Sequence, residues 1–110
     1  MDVGVDIVDV KRIKKVLDKY GEKFLNKVFS DEEKPFLKQR KFLHESIAGR
    51  FAAKEAFIKA KGMKLPLKEI YVFQNTKKPY INYRGKVYKG LSISHERDYA
   101  VAVVIIHEDK

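Results

Sequence analysis

Apolar residues change their spacing twice along this chain. The short β-branched run Val3–Val10, with acids at Asp6 and Asp9, predicts a first strand. From Val10 the period lengthens: Val10, Ile13, Val16, Leu17, Tyr20, Phe24 and Val28 recur at steps of three and four. Lys11, Arg12, Lys14, Lys15, Lys19, Lys23 and Lys27 stand between them, which predicts an amphipathic helix with a basic face, interrupted near Gly21. Ser30-Asp31-Glu32-Glu33 has the form of a capping box, and Pro35 fits only an opening turn, so a short helix is predicted to start near Asp31. A longer, alanine-rich helix is predicted from Leu43 to Lys61, with Gly62 where a left-handed cap residue belongs. Beyond Pro66 the grain is β. Lys68–Gln74 and Pro79–Tyr83 flank a turn at 75–78, and Leu91–His95 and Tyr99–His107 flank Glu96-Arg97-Asp98, giving two hairpins. There is no repeat, linker or low-complexity stretch. The expectation is a small single α+β domain spanning 1–110, with helices from the first half packed on an antiparallel sheet from the second.

Composition narrows the function. At 110 residues the chain can bury a core but has little area for a deep cleft of its own. It carries 24 Lys and Arg against 15 Asp and Glu, a formal charge of +9, which points to an anionic partner: nucleic acid, acidic protein, phosphorylated small molecule or anionic membrane. A hydrophobic fraction of 45% excludes a disordered basic tail. The absence of cysteine excludes disulfide scaffolds, iron–sulfur clusters and thiol catalysis. His44, His95 and His107 are too far apart in sequence to favour a histidine-rich zinc site. Acids near the start, and a longest apolar run (Tyr99–Ile106) of only strand length, predict a cytoplasmic protein with no membrane partner.

A few side chains carry candidate chemistry. On a strand, Asp6 points away from Val5 and Ile7, and is either a solvated acid or part of a site. Glu55 and Lys59 share one helix face: either a surface ion pair or ligand contacts. Ala52, Ala53, Ala56 and Ala60 surround them with small side chains, which permits close approach of another backbone or of a ligand. Two carboxylates from separate elements suit Mg²⁺, which keeps waters and substrate phosphates, and Lys59 suits a phosphate oxygen. In Leu91-Ser92-Ile93-Ser94-His95, alternation puts His95 opposite Ser92 and Ser94, at a strand end that frees it from the core. His44 and His107 have no motif around them. A basic α+β domain with Tyr80, Tyr83 and Tyr88 exposed would also fit an RNA-binding module, although no RNP-type or KH-type glycine motif accompanies them.

Four blocks resemble a known family. Gly4-Val5-Asp6-Ile7-Val8-Asp9-Val10-Lys11-Arg12-Ile13 resembles the opening signature of the holo-(acyl-carrier-protein) synthases. Ala48-Gly49-Arg50-Phe51-Ala52-Ala53-Lys54-Glu55-Ala56-Phe57 with Lys59-Ala60 is similar to their central helix. Lys78-Pro79-Tyr80-Ile81 is similar to their Lys-Pro turn, and Ser92-Ile93-Ser94-His95 with Tyr99-Ala100 to their last strand pair. The blocks follow the family's order over nearly the whole chain. Lys61–Pro66 replaces a glycine-rich loop found in many members, and Lys19 and Lys23 stand where members often have arginine.

The resemblance implies a 4'-phosphopantetheinyl transferase fold and activity. Coenzyme A is the donor, a serine of acidic apo acyl carrier protein the acceptor, in support of fatty acid biosynthesis. It implies Mg²⁺ on Asp6 and Glu55, Lys59 near the phosphates, and Arg50, Ser94 and His95 near the nucleotide. It implies a homotrimer with intersubunit active sites, which answers the size problem. Seven bases and two acids between Lys11 and Lys27 give a local net charge of +5. That patch, with Arg12, Lys19 and Lys23, suits the carrier protein, while Arg50, Lys54 and Lys59 are expected beside the cofactor phosphates. The excess charge then needs no nucleic acid. For the serine proton, a metal-activated water, Glu55 and Asp31 stay open.

Overall fold

A computed structural model describes residues 1–38, 42–75 and 78–107. The element order is β1 (Asp2–Asp9), α1 (Val10–Tyr20), α2 (Glu22–Val28), α3 (Lys34–Lys38), α4 (Leu43–Lys61), a 3₁₀ turn (Leu67–Glu69), β2 (Ile70–Gln74), β3 (Pro79–Tyr83), β4 (Lys86–Tyr88), β5 (Leu91–His95) and β6 (Tyr99–Ile106).

Local chemistry sets the boundaries. Asp9 ends β1 and caps α1, its carboxylate accepting from the N–H groups of Lys11 at 2.9 Å and Arg12 at 3.4 Å. Gly21, at φ +53°, separates α1 from α2 where the sequence pattern breaks. The Ser30–Glu33 box forms, with Glu33 N–H bonded to Ser30 Oγ at 3.3 Å and Ser30 N–H to Glu33 Oε1 at 3.0 Å. The helix after it begins at Lys34 rather than near Asp31, which puts Pro35 in the second position, where no N–H is required. Gly62, at φ +69°, closes α4 with its N–H on the carbonyls of Ile58 and Lys59. Thr76 and Lys77 of the expected first hairpin turn lie outside the described residues, but Asn75 and Lys78 close it with two hydrogen bonds.

The fold is α+β, but the described strands form two three-stranded antiparallel sheets rather than one: β1-β6-β5 and β2-β3-β4. β1 joins the late strands by pairing along its whole length with β6, from Asp2↔Ile106 to Asp9↔Tyr99. β4 was not apparent in the sequence pattern. It follows a two-residue turn, Arg84-Gly85, whose φ values of +50° and +83° are those a type I′ hairpin requires.

α4 is the core of the molecule and lies on β1 and β6, touching β1 backbone to backbone. A Cβ on Gly4 would meet the Ala56 carbonyl oxygen at 1.9 Å and the Ala60 nitrogen at 2.7 Å. Ala52, Ala53, Ala56 and Ala60 are buried there, so the small residues admit a strand backbone rather than a ligand. Phe57 packs its ring against Tyr83 and, edge-on at 4.9 Å, against Tyr88. Tyr88 is buried, and Tyr80 and Tyr83 are half-buried, so the exposed aromatic platform expected of an RNA-binding module does not form. On the opposite face of the first sheet, Val3, Val5 and Ile7 stand 54%, 53% and 63% exposed. They pair across to Ile105, Val103 and Val101. Among the described residues no helix is long and apolar enough to cross a membrane.

Candidate active site

The sequence places Asp6 on the strand face turned toward α4, with Gly4 and Val8. Lys59, in the last turn of α4, reaches over to it: Nζ stands 2.9 Å from Asp6 Oδ1 and 3.1 Å from the Val5 carbonyl oxygen. Lys59 is 55% exposed and Asp6 17%, so this pair sits at the edge of the helix–sheet contact, open to solvent on the lysine side. Glu55, one turn before Lys59, joins them. Partial burial holds its carboxyl above the ordinary 4.5, the Asp6 charge pushes it the same way, and Lys59 opposes them. Asp6 and Glu55 are thus close enough to repel, and Asp6, Glu55 and Lys59 form one group.

Two crowded carboxylates with a solvent-open side fit a divalent cation with hard-oxygen preference. Among the described residues no cluster of three or more acids or histidines encloses such an ion. A cation held here therefore keeps coordination positions for water or for substrate oxygens, which is how Mg²⁺ binds phosphate substrates.

A cleft of about 280 Å³ opens near the other end of α4. Glu45, Gly49 and Arg50 of α4 form its floor, Val72, Phe73 and Gln74 of β2 one wall, and Ile93 and His95 of β5 the other. Gly49 is small because β5 crosses it: a Cβ there would meet the Ile93 Cγ2 at 3.0 Å. His95 Nδ1 lies 3.7 Å from Glu45 Oε2, at the cleft rim. Arg50 is nearly buried and donates from its guanidinium to the Val72 carbonyl.

Several expected residues fall elsewhere. Ser94 pairs with Val101 on the outer face of the first sheet, away from the cleft that His95 lines. Lys54 does not face the cofactor side of α4; it is fully buried and paired with Glu33 at 2.7 Å. Burial lowers its pKa to about 8 against the opposing pull of Glu33. Asp31 is exposed and paired with Lys34, outside the Asp6–Glu55–Lys59 group. Arg12, Lys19 and Lys23 are all exposed on the basic face of α1 and α2. Glu45 was not singled out from the sequence. Its one signal, a position four residues before Gly49 and so on the same face of the helix, is weak without knowing that β5 crosses there.

The sequence profile of the 4'-phosphopantetheinyl transferase superfamily matches residues 2–104. The chain is 48% identical to a holo-[acyl-carrier-protein] synthase of Thermodesulfovibrio yellowstonii, covering 94% of this chain and 96% of that one. It is 42% identical to the enzyme of the same name from Halothermothrix orenii, over 96% of each chain. In three dimensions it resembles the Helicobacter pylori holo-[acyl-carrier-protein] synthase in complex with coenzyme A, with a TM-score of 0.84, 30% identity and coverage of 96% and 99%.

Proposed function

The chain belongs to the 4'-phosphopantetheinyl transferase superfamily, and from that premise we propose the reaction its site performs. It transfers the 4'-phosphopantetheine group of coenzyme A to a serine of apo acyl carrier protein, in the cytoplasm, as one domain over residues 1–110. The serine Oγ–phosphorus bond forms as the bond to the bridging pyrophosphate oxygen breaks, adenosine 3',5'-bisphosphate leaves with that electron pair, and the serine hydroxyl proton passes to water. Such a transfer asks the protein for in-line placement and charge neutralisation more than for covalent chemistry.

The observation that carries the reading is the convergence of Asp6, Glu55 and Lys59 at one end of the helix that also floors the cleft. Asp6 and Glu55 would hold Mg²⁺, which when bound would supply Lewis-acid neutralisation of the pyrophosphate charge. Lys59 offers its exposed ammonium to the same oxygens. Arg50 and His95 face the nucleotide phosphates across the cleft, with the Glu45 carboxylate 3.7 Å from the His95 ring. The exposed bases Arg12, Lys19 and Lys23 meet the acidic carrier protein. The apolar strip of Val3, Val5 and Ile7 with Ile105 supports assembly into a homotrimer, in which sites open between subunits and Ser94 lies on the contact face.

The test is mass spectrometry of apo acyl carrier protein incubated with this protein, coenzyme A and Mg²⁺. The expected product is heavier by one phosphopantetheine, and Asp6→Ala and Glu55→Gln should abolish it. Transfer that survives both substitutions would sink the two-carboxylate site.

A further inference from the structure

Glu33 and Lys54 are a charge pair with both side chains fully buried, and neither belongs to the site proposed above. Glu33 Oε1 accepts from Lys54 Nζ at 2.7 Å, Ser30 N–H at 3.0 Å and Ser30 Oγ at 3.1 Å. Its second oxygen, Oε2, accepts from the Val72 N–H at 2.9 Å. Lys54 also donates to the carbonyls of Val28 at 2.7 Å and Leu67 at 3.0 Å, so its three protons have three acceptors.

The pair ties α4 to β2. Among the described residues β2 is an edge strand, bonded to β3 alone. At Val72 both its backbone groups are taken by side chains: the N–H by Glu33 and the carbonyl by Arg50. Helix α4 therefore grips the same strand residue twice, directly through Arg50 and indirectly through Lys54 and Glu33. Val72 also begins the β2 wall of the cleft that Gly49 and His95 help to line. A buried ion pair adds little stability over an apolar pair of the same shape, so stability alone does not account for two charges here. Directional bonds on one wall residue do something that apolar packing does not: they fix where that wall stands.

We propose that Glu33 is a positioning residue for nucleotide binding: through Val72 it sets the β2 wall, and with it the cleft width and the direction of Arg50. The inference rests on the cleft being the coenzyme A nucleotide site. Glu33→Gln, in which the amide oxygen turns to Lys54 and the NH₂ faces Val72, removes the wall contact at nearly constant volume. Glu33→Leu/Lys54→Met removes the contact and both charges, and carries the same measurements should the single variant not fold. With adenosine 3',5'-bisphosphate as the calorimetric probe, both variants should bind about tenfold more weakly, the scale of one lost charge-assisted hydrogen bond. KM for coenzyme A should rise by a similar factor, while kcat and KM for acyl carrier protein stay within about twofold. Amide exchange at Val72 should speed up, with exchange at Ala102 in the other sheet unchanged. Wild-type affinity in a folded variant, an equal loss on both substrates, or faster exchange at Val72 and Ala102 together would overturn the proposal. A wild-type protein that does not bind the bisphosphate would instead overturn the assignment of the cleft, and the inference with it.

Discussion

Replacing Gly4 by alanine should injure this protein more than its size implies. The added Cβ would stand 1.9 Å from the Ala56 carbonyl oxygen, where ordinary contact starts at 3.4 Å, so β1 has to retreat from α4 by about 1.5 Å. The obstacle is helix backbone, which cannot rotate aside as a side chain can. Overpacking a core costs about 1–3 kcal/mol, and a collision with backbone belongs at the top of that range or above it. For a domain near this length each kcal/mol lowers the melting temperature by about 4–8 °C, so a fall of about 12 °C or more is expected. The damage also reaches the site, because Asp6 lies two residues along the same strand and faces the same helix. Titration with Mn²⁺, followed by electron paramagnetic resonance, should show weaker binding in the variant than in the parent. Gly62→Ala is the control. Its left-handed φ of +69° costs about 1 kcal/mol, but nothing lies within 4 Å of the new methyl, so cation binding should not change. A Gly4→Ala protein melting within about 3 °C of the parent would refute the claim that α4 and β1 touch backbone to backbone.

Three further outcomes follow from the site and the surface. In the cation-free protein the Glu55 carboxyl binds its proton more tightly than the ordinary 4.5, so the folded state holds the extra proton and stability declines as pH rises through that window. Asp6→Asn removes the like charge and should bring the Glu55 midpoint down by NMR; an unmoved midpoint would separate the two carboxylates. Arg12→Glu with Lys19→Glu should raise KM for acyl carrier protein by about tenfold and leave KM for coenzyme A within about twofold, and equal effects would count against α1 as the docking surface. Val5→Glu on the exposed face should give a folded monomer by light scattering with activity lost, whereas an unchanged mass would place the contact elsewhere.

Much of this was legible from the sequence because the signals were local. Gly21, the Ser30–Glu33 box and Gly62 each mark a boundary through their own backbone chemistry. Asp6 and Lys59 each stand out in the sequence, but their contact spans fifty-three residues that no periodicity connects. What escaped has physical reasons. α4 buries side chains on most of its circumference, so it has no polar stripe from which to read which side faces the sheets. The sequence groups Lys54 with the phosphate-binding bases because charge normally marks surface, and its partner Glu33 lies twenty-one residues away in a capping box that already accounts for that acid. The division into two sheets depends on β1 pairing with β6, a contact between the two ends of the described chain. Ser94 and His95 are neighbours in sequence, yet on a strand neighbours face opposite ways, so a motif containing both serves two surfaces.

Helix α4 also acts as a measuring rod. Arg50 and Glu55 are five residues apart, about 7.5 Å along the axis, and Lys59 stands about 6 Å further. One rigid element thus spaces the groups we propose for the nucleotide end of the donor from those we propose for its reacting phosphorus. Inserting or deleting one residue between them would swing one set about 100° around the axis relative to the other. This stretch can therefore change by substitution but not by length, and loops elsewhere are where insertions and deletions can be absorbed.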